Sequence, residues 1–356
     1  MNIQSFMIGV ATAFFAIFSI HILYFRQERT RYQTVLGIIM AIWSLWTAKD
    51  MVITFPHMYV PQVLNWILII DGWSAITYVV LVMEATSPGW TTVRRLLWLA
   101  LPFVVFTVAY LCMPVPSVLY GYVGFLWFFA WGVVIVAWIR MKRYLKFLHA
   151  NYSNIDDIDV SWLRPVFAFV IVGQLAWLVT SLYPRIFNDL VYYLLSIGLW
   201  LMVFHYSWNF HPIVMEAEEA PADVVADLSG KSPDEVAESV SSKKLFALSE
   251  EKLEKLMAEQ QLYLNPDLTL AQLAKALGTN RTYMSNWLSD ACGQTFYNYI
   301  NRLRIERESL PLMQQHPEYT IEHIAEKSGF GSVSTFRRAF LKFTGQTPQA
   351  YKAMQQ

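Results

Sequence analysis

Apolar runs of about 18 to 23 residues recur through the first 210 residues with few charges inside them, the length a helix needs to cross the hydrocarbon core of a bilayer. Seven are present, over 4–25, 34–55, 62–84, 96–113, 118–139, 163–183 and 190–208. A chain of 356 residues that is 55% hydrophobic and only 15% charged does not have the composition of one soluble globule, so the runs are read as a seven-helix transmembrane bundle. Pro102, inside the fourth run, is tolerable where neighbouring helices satisfy the carbonyl it frees. The first run lacks both a preceding positive charge and a small-residue cleavage site, so it is expected to be a retained helix and not a signal peptide.

Basic residues in short loops set the orientation, because they resist translocation. Arg26, Arg29 and Arg31 follow the first run, Arg94 and Arg95 the third, and Arg140, Lys142, Arg143 and Lys146 the fifth, whereas the alternate loops contribute only Arg185. The bias predicts an N-terminus outside the cell and a cytoplasmic C-terminal third. Thirteen of the 14 Trp residues fall in this half, several near run ends (Trp90, Trp162, Trp208), where amphipathic rings anchor at the headgroup level.

Polar groups inside the runs are the candidate sensor. Asp71, Ser74 and Tyr78 share a face of the third run by their i, i+3, i+7 spacing, Trp46 and Lys49 share one of the second, and Gln174, Trp177 and Ser181 one of the sixth. Exposing such stripes to lipid would leave polar groups unsatisfied, so they are expected to face inward. Two readings stay open: a buried Lys49–Asp71 pair that specifies packing, or an outward-opening cavity in which a small molecule biases the bundle between two arrangements.

Zero net charge conceals three unlike regions. Residues 1–215 carry 12 basic and 8 acidic residues, 216–261 carry 5 and 12, and 262–356 carry 10 and 7, so membrane, tether and nucleic acid are separate questions. From Glu216 to about Lys244 the composition turns to Ala, Glu, Asp, Ser, Pro and Val with no apolar period, which predicts a flexible acidic linker. The expected organisation is 1–210 membrane domain, 211–244 linker and 245–356 DNA-binding domain.

After a predicted helix with Leu253, Leu256 and Met257 on one face, two similar helix-turn-helix blocks follow, about 50 residues apart. In the first, Leu270, Leu273 and Ala274 form an apolar face, Gly278 supplies the turn and Asn280 caps a second helix reaching about Ser289. Its Tyr283, Met284, Trp287 and Leu288 point inward and leave Arg281, Thr282, Ser285, Asn286 and Ser289 outside. In the second block Ile321, Ile324 and Ala325 repeat the face, Gly329 the turn and Ser332 the cap, and Phe336, Ala339 and Phe340 are the inner face of a helix exposing Val333, Ser334, Arg337, Arg338 and Lys342. Phe296, Ile300, Leu303 and Arg307 suggest a connecting helix that ends near Pro311.

The stretch from Leu268 to Tyr351 resembles the AraC/XylS-type DNA-binding domain, in which one long helix joins two helix-turn-helix units. The matching motifs are Leu-Thr-Leu-Ala-Gln-Leu-Ala (268–274), Asn-Arg-Thr-Tyr-Met-Ser (280–285), Gly-Gln-Thr-Phe (293–296), Asn-Arg-Leu-Arg-Ile-Glu (301–306), Ile-Ala-Glu-Lys-Ser-Gly-Phe (324–330) and Phe-Thr-Gly-Gln-Thr-Pro (343–348). The resemblance covers about a quarter of the chain and implies base-facing positions for Thr282, Ser285, Asn286, Val333, Ser334 and Arg337, with Arg281, Arg338 and Lys342 near phosphates. Two departures weaken the first unit: Asn286 stands where the family commonly has a basic residue, and Ser289-Asp290 where it has a Lys pair. Membrane-anchored regulators of this type imply a bacterial inner membrane.

Cys112 and Cys292 support neither a disulfide framework nor a CxxC metal site, the seven His form no HExxH, and no phosphate-binding glycine loop is present. No enzyme, metal or cofactor is expected. The partners expected are double-stranded DNA, the lipid bilayer and an unidentified small-molecule or membrane signal, with a homodimer left open. Two rivals stand beside the regulator reading. One is a membrane transporter or enzyme with a helix-turn-helix docking module, disfavoured because Lys49, Asp50, Asp71 and Glu84 are essentially the only ionisable groups in the runs. The other is a constitutive DNA tether with little sequence preference.

Overall fold

The computed structural model describes residues 3–182, 186–215 and 242–354, and the expected linker core, 216–241, lies outside the described residues. Helices account for the regular structure. The only pairing of extended backbone among the described residues is an isolated antiparallel bridge between Tyr152 and Thr269. The chain divides into two compact units, Met1–Tyr144 with Asp157–Val214, and Leu145–Asp156 with Met215–Gln356.

The first unit contains α1 (Ile3–Ile20), α2 (Arg31–Lys49), α3 (Pro61–Gly72), α4 (Ala75–Thr86), α5 (Val93–Cys112), most of α6 (Pro116–Asn151), α7 (Leu163–Leu182) and α8 (Ile186–Ser207). Six segments among the described residues are long and apolar enough to span a bilayer, and Leu163–Gly173 is a shorter apolar stretch within α7. Thr30 starts α2 with a reciprocal cap: its hydroxyl accepts from Gln33 N at 3.2 Å while its own N–H donates to Gln33 Oε1 at 2.9 Å. Short polar side chains then join α1 to α2, with Thr12 Oγ1 donating to Thr47 Oγ1 at 3.1 Å and Ser44 Oγ to the Thr12 carbonyl at 3.1 Å.

The third apolar run is two helices, not one. Tyr122 donates its hydroxyl to the Ile69 carbonyl at 2.9 Å, and the Trp73 N–H bonds the Ile70 carbonyl, one residue later, at 3.1 Å. A Cβ at Gly72 would lie 2.1 Å from that Tyr122 oxygen, so only glycine fits the break. Helix α6 is also longer than its apolar run. Its 36 residues extend about 54 Å, and from Leu145 onward they belong to the second unit.

The second unit contains α9 (Ser242–Gln260), α10 (Leu270–Ala276), α11 (Arg281–Cys292), α12 (Phe296–Leu303), α13 (Leu310–Gln315), α14 (Ile321–Lys327), α15 (Val333–Thr344) and α16 (Pro348–Ala353). Two apolar clusters hold it together. Leu253, Met257, Leu270, Leu273, Met284, Trp287 and Ile300 belong to one, and Ile305, Met313, Ile324, Phe336 and Phe340 to the other. The expectation that the connecting helix ends near Pro311 is wrong. A π-helical turn, Arg304–Ser309, precedes the proline and helix resumes through Gln315. The wider turn directs the Leu310 N–H to the Ile305 carbonyl, and the Ser309 hydroxyl donates to the Arg304 carbonyl at 3.0 Å, so the proline's missing N–H falls where the bonding pattern has already shifted.

Candidate nucleic-acid interface

Each block of the second unit presents one helix by the same local means. In the first, Thr269 and Gln272 form a capping box for α10, Gly278 turns at φ 70°, and Asn280 Oδ1 accepts the Tyr283 N–H at 2.7 Å to open α11. Met284, Trp287 and Leu288 are buried. Asn286 is exposed, and Arg281, Thr282 and Ser285 are half-buried. In the second, Gly329 turns at φ 80°, and Ser332 Oγ accepts the Thr335 N–H at 3.1 Å to open α15. Phe336, Ala339 and Phe340 point inward, Val333 packs against the same cluster, and Ser334, Arg337, Arg338 and Lys342 are exposed. Met284, Trp287, Leu288, Phe336, Ala339 and Phe340 are buried as the apolar spacing indicates, whereas Tyr283 is only half-buried and Thr335 is buried without an apolar signal.

The cations of α15 have partners. Arg337 Nη2 lies 3.4 Å from Glu322 Oε1, and Lys342 Nζ donates to Asn298 Oδ1 at 2.7 Å. Arg338 Nη2 lies 3.3 Å from Asp156 Oδ1 and 3.1 Å from Thr335 Oγ1, and the Thr335 hydroxyl donates to the same carboxylate oxygen. The Arg337–Glu322 pair is exposed on both sides, and an ion pair of that kind is worth little in water and gives way readily to a stronger anion.

Three residues of this unit escaped the sequence reading. Thr335 lies between Ser334 and the apolar Phe336 and looked like neither face. Asp156 lies far away in sequence, in a loop with no motif. Arg304 was visible within the 301–306 motif, but its burial was not: it is fully enclosed, with Nε donating to the Tyr263 carbonyl at 2.6 Å and Nη2 to the Asn265 carbonyl at 2.7 Å. Burial pushes its guanidinium down to about 10, which leaves it charged at neutral pH. Arg307, one turn on, pairs with Glu254 at 2.5 Å, and that hydrogen bond raises its pKa.

In the first unit, Lys49 Nζ lies 2.7 Å from Asp71 Oδ1 and 2.5 Å from Asp50 Oδ1, and the Tyr193 hydroxyl donates to Asp50 Oδ2 at 2.9 Å. Trp46 Nε1 donates to the Ile70 carbonyl at 3.0 Å, Tyr78 stacks on Trp200 at 5.7 Å, and the Ser74 carbonyl accepts from Thr77 Oγ1 at 2.6 Å beside the α3–α4 break. Asp50 and Tyr193 extend the pair that the sequence suggested. The side chains of Gln174, Trp177 and Ser181 lie outside the described residues. Among the described residues, no three or more His, Cys, Asp or Glu side chains are grouped so as to hold a metal ion.

Comparison with known proteins singles out the same end of the chain. Residues 273–354 match the family described as a helix-turn-helix domain. An uncharacterised HTH-type transcriptional regulator of Staphylococcus aureus strain COL is 31% identical over 105 residues, 30% of this chain and 14% of that protein. The uncharacterised HTH-type transcriptional regulator YobQ of Bacillus subtilis strain 168 is 34% identical over 85 residues, 24% of this chain and 34% of that protein. The likeness therefore spans a minor part of the curated relatives' length. No solved structure matches. The C-terminal region is a helix-turn-helix domain of the AraC type, and several long apolar helices precede it.

Proposed function

We propose that this chain is a membrane-anchored, sequence-specific DNA-binding transcription regulator, in which the helical domain 1–210 senses a signal and the domain 245–356, tethered by the acidic linker 211–244, reads duplex DNA. The observation that carries the reading is the pairing of α11 and α15. Each is N-capped, each follows a positive-φ glycine, and each turns an apolar face inward while short polar or guanidinium side chains face out. Thr282, Ser285, Asn286, Val333, Ser334 and Arg337 are assigned to base edges, and Arg281, Arg338 and Lys342 to phosphates.

The apolar helices and the one-sided loop charges support an inner-membrane location with the N-terminus outside and the DNA-binding domain in the cytoplasm. For the signal, the Lys49–Asp50–Asp71–Tyr193 cluster is the candidate receiver. Lys49→Met and Asp71→Asn should abolish the transcriptional response while the protein still accumulates in the membrane and still occupies its sites. Variants that vanish from the membrane or respond normally would remove the cluster from the sensor.

A genome-wide map of DNA bound by the intact protein tests the whole reading. Discrete sites with two contacted major grooves about 34 Å apart on one face of the duplex are expected, as for two recognition helices in one chain. Uniform, sequence-indifferent occupancy would make the protein a tether, and no occupancy would return it to the transporter or enzyme class.

A further inference from the structure

The second unit is built from two separate stretches of chain, because Leu145–Asp156 packs with the helix-turn-helix domain. The stretch is the end of α6 and the residues that follow it. Leu148, Ser153 and Ile155 are buried. Ser153 is its anchor: the hydroxyl donates to the Leu268 carbonyl at 2.7 Å, the N–H donates to the same carbonyl at 3.2 Å, and the Ser153 carbonyl and hydroxyl oxygen accept from Arg304 Nη1 and Nη2 at 3.3 and 3.1 Å. Asn154 then lies so close to Gly331, in the turn before α15, that a Cβ there would fall 2.2 Å from Asn154 Nδ2. Two residues further on, Asp156 meets Thr335 and Arg338 on α15 itself.

We propose that this segment is an intramolecular competitor of DNA, with the Asp156 carboxylate taking the place of a backbone phosphate on the second recognition helix. The proposal rests on the DNA-binding reading above. A phosphate approaching the first turn of α15 would meet an arginine and a hydroxyl beside the positive end of the helix, and Asp156 engages that arginine and that hydroxyl. Its position also carries a cost. Asp156 Oδ2 is buried and has no hydrogen-bond partner among the described residues, and a carboxylate oxygen left in that state favours departure over permanent packing. The Ser153 anchor is different, since every bond it makes is satisfied on both sides. Attachment is therefore secure at Ser153 and weak at Asp156, the arrangement of a clasp whose tip yields first.

The test is equilibrium binding of a fluorescein-labelled random-sequence duplex by the intact chain in lipid nanodiscs, over a salt series. Asp156→Asn should tighten binding on the order of 5-fold or more, the lower end of typical coupling between two sites. Asp157→Asn, which removes the same charge from the adjacent exposed residue, should change it by less than about 2-fold, because no specific competitor is lost.

A second variant works in the opposite direction. An ideal Cβ at Gly331 falls 2.8 Å from Asn154 Cγ, within disulfide reach, so Asn154→Cys with Gly331→Cys, in a Cys112→Ser, Cys292→Ser background, should lock the segment down. The oxidised form should bind the duplex more weakly than the same protein after reduction. Equal effects of Asp156→Asn and Asp157→Asn, or a lock that leaves binding unchanged, would overturn the competitor while leaving the DNA reading intact. Absence of duplex binding by every form, wild type included, would overturn both.

Discussion

Between α11 and α15 the construction is shared and the surface chemistry is not. Both helices have 12 residues, both open on a polar side chain that accepts an amide of the first turn, and both close on a glycine in the left-handed region, Gly293 at φ 61° and Gly345 at φ 75°. The sequence of α11 contains one basic residue and one acidic, Arg281 and Asp290, whereas α15 contains Arg337, Arg338 and Lys342 and no acid. Construction answers to folding and surface to DNA, so the two blocks keep a common scaffold while differing in what they can hold. A salt-dependent, phosphate-directed affinity should therefore come mainly from the second block. The first should contribute orientation and weak base contacts.

The largest expected effect concerns the two turn glycines, which look equivalent in sequence. An alanine at Gly278 meets nothing within 4 Å and suffers only the left-handed backbone, about 1–2 kcal/mol. At Gly329 the added Cβ would also lie 2.5 Å from the Leu264 carbonyl oxygen, and overpacking against rigid backbone adds about 1–3 kcal/mol. Hydrogen-exchange mass spectrometry on the intact protein separates the two blocks. Gly329→Ala should deprotect α14 and α15 far more than Gly278→Ala deprotects α10 and α11, and equal effects would mean that the second turn is less constrained than its geometry implies.

Next in size is the division of labour within α15. Arg337→Ala should cost about 1–3 kcal/mol in specific binding and relax preference at one base position, because a guanidinium reading a base edge is lost. Arg338→Ala should instead weaken all sequences alike. Competition binding against a panel of single-base variants distinguishes the two outcomes. A uniform loss from both would place Arg337 on the phosphate backbone too, and α15 would then read sequence through Val333 and Ser334 alone.

The parts of this molecule that a sequence exposes are those whose causes are local. Gly278, Gly329, Asn280 and Ser332 stand where a turn or cap requires their residue type within four residues, and all four do what that spacing implies. The break after Gly72 was hidden because its cause is Tyr122, 50 residues later, taking a carbonyl that an uninterrupted helix would have used. Helix beyond Pro311 was hidden because the relief comes from a π turn upstream, which no residue pattern announces. Asp156 was illegible for a stronger reason. Nothing near it in sequence distinguishes it from Asp157, and its role depends on a helix 179 residues away.

Cap removal gives a smaller effect and a sharper comparison. Asn280→Ala and Ser332→Ala each delete one side-chain acceptor of a first-turn amide and should each cost about 1 kcal/mol of local stability. Near-equal exchange effects at the starts of α11 and α15 would confirm that the two scaffolds are interchangeable. A much larger loss at Ser332 would show that the first turn of α15 depends on its cap in a way that α11 does not, and the shared construction would be only apparent.

The smallest effect decides whether α11 touches the duplex backbone at all. Arg281 is the first residue of α11, half-buried, and the only basic side chain on that helix. If it neutralises one phosphate, binding releases roughly one condensed counterion at that point, and Arg281→Ala should lower the slope of log affinity against log salt by about 1 while weakening all sequences similarly. Arg338→Ala should produce a slope change of the same size from the other helix. Measured by anisotropy on the intact protein over one salt series, an unchanged slope for Arg281→Ala beside a reduced one for Arg338→Ala would leave α15 as the sole backbone contact. The footprint should then shrink to a single major groove, and the first block would serve as a rigid support for the second.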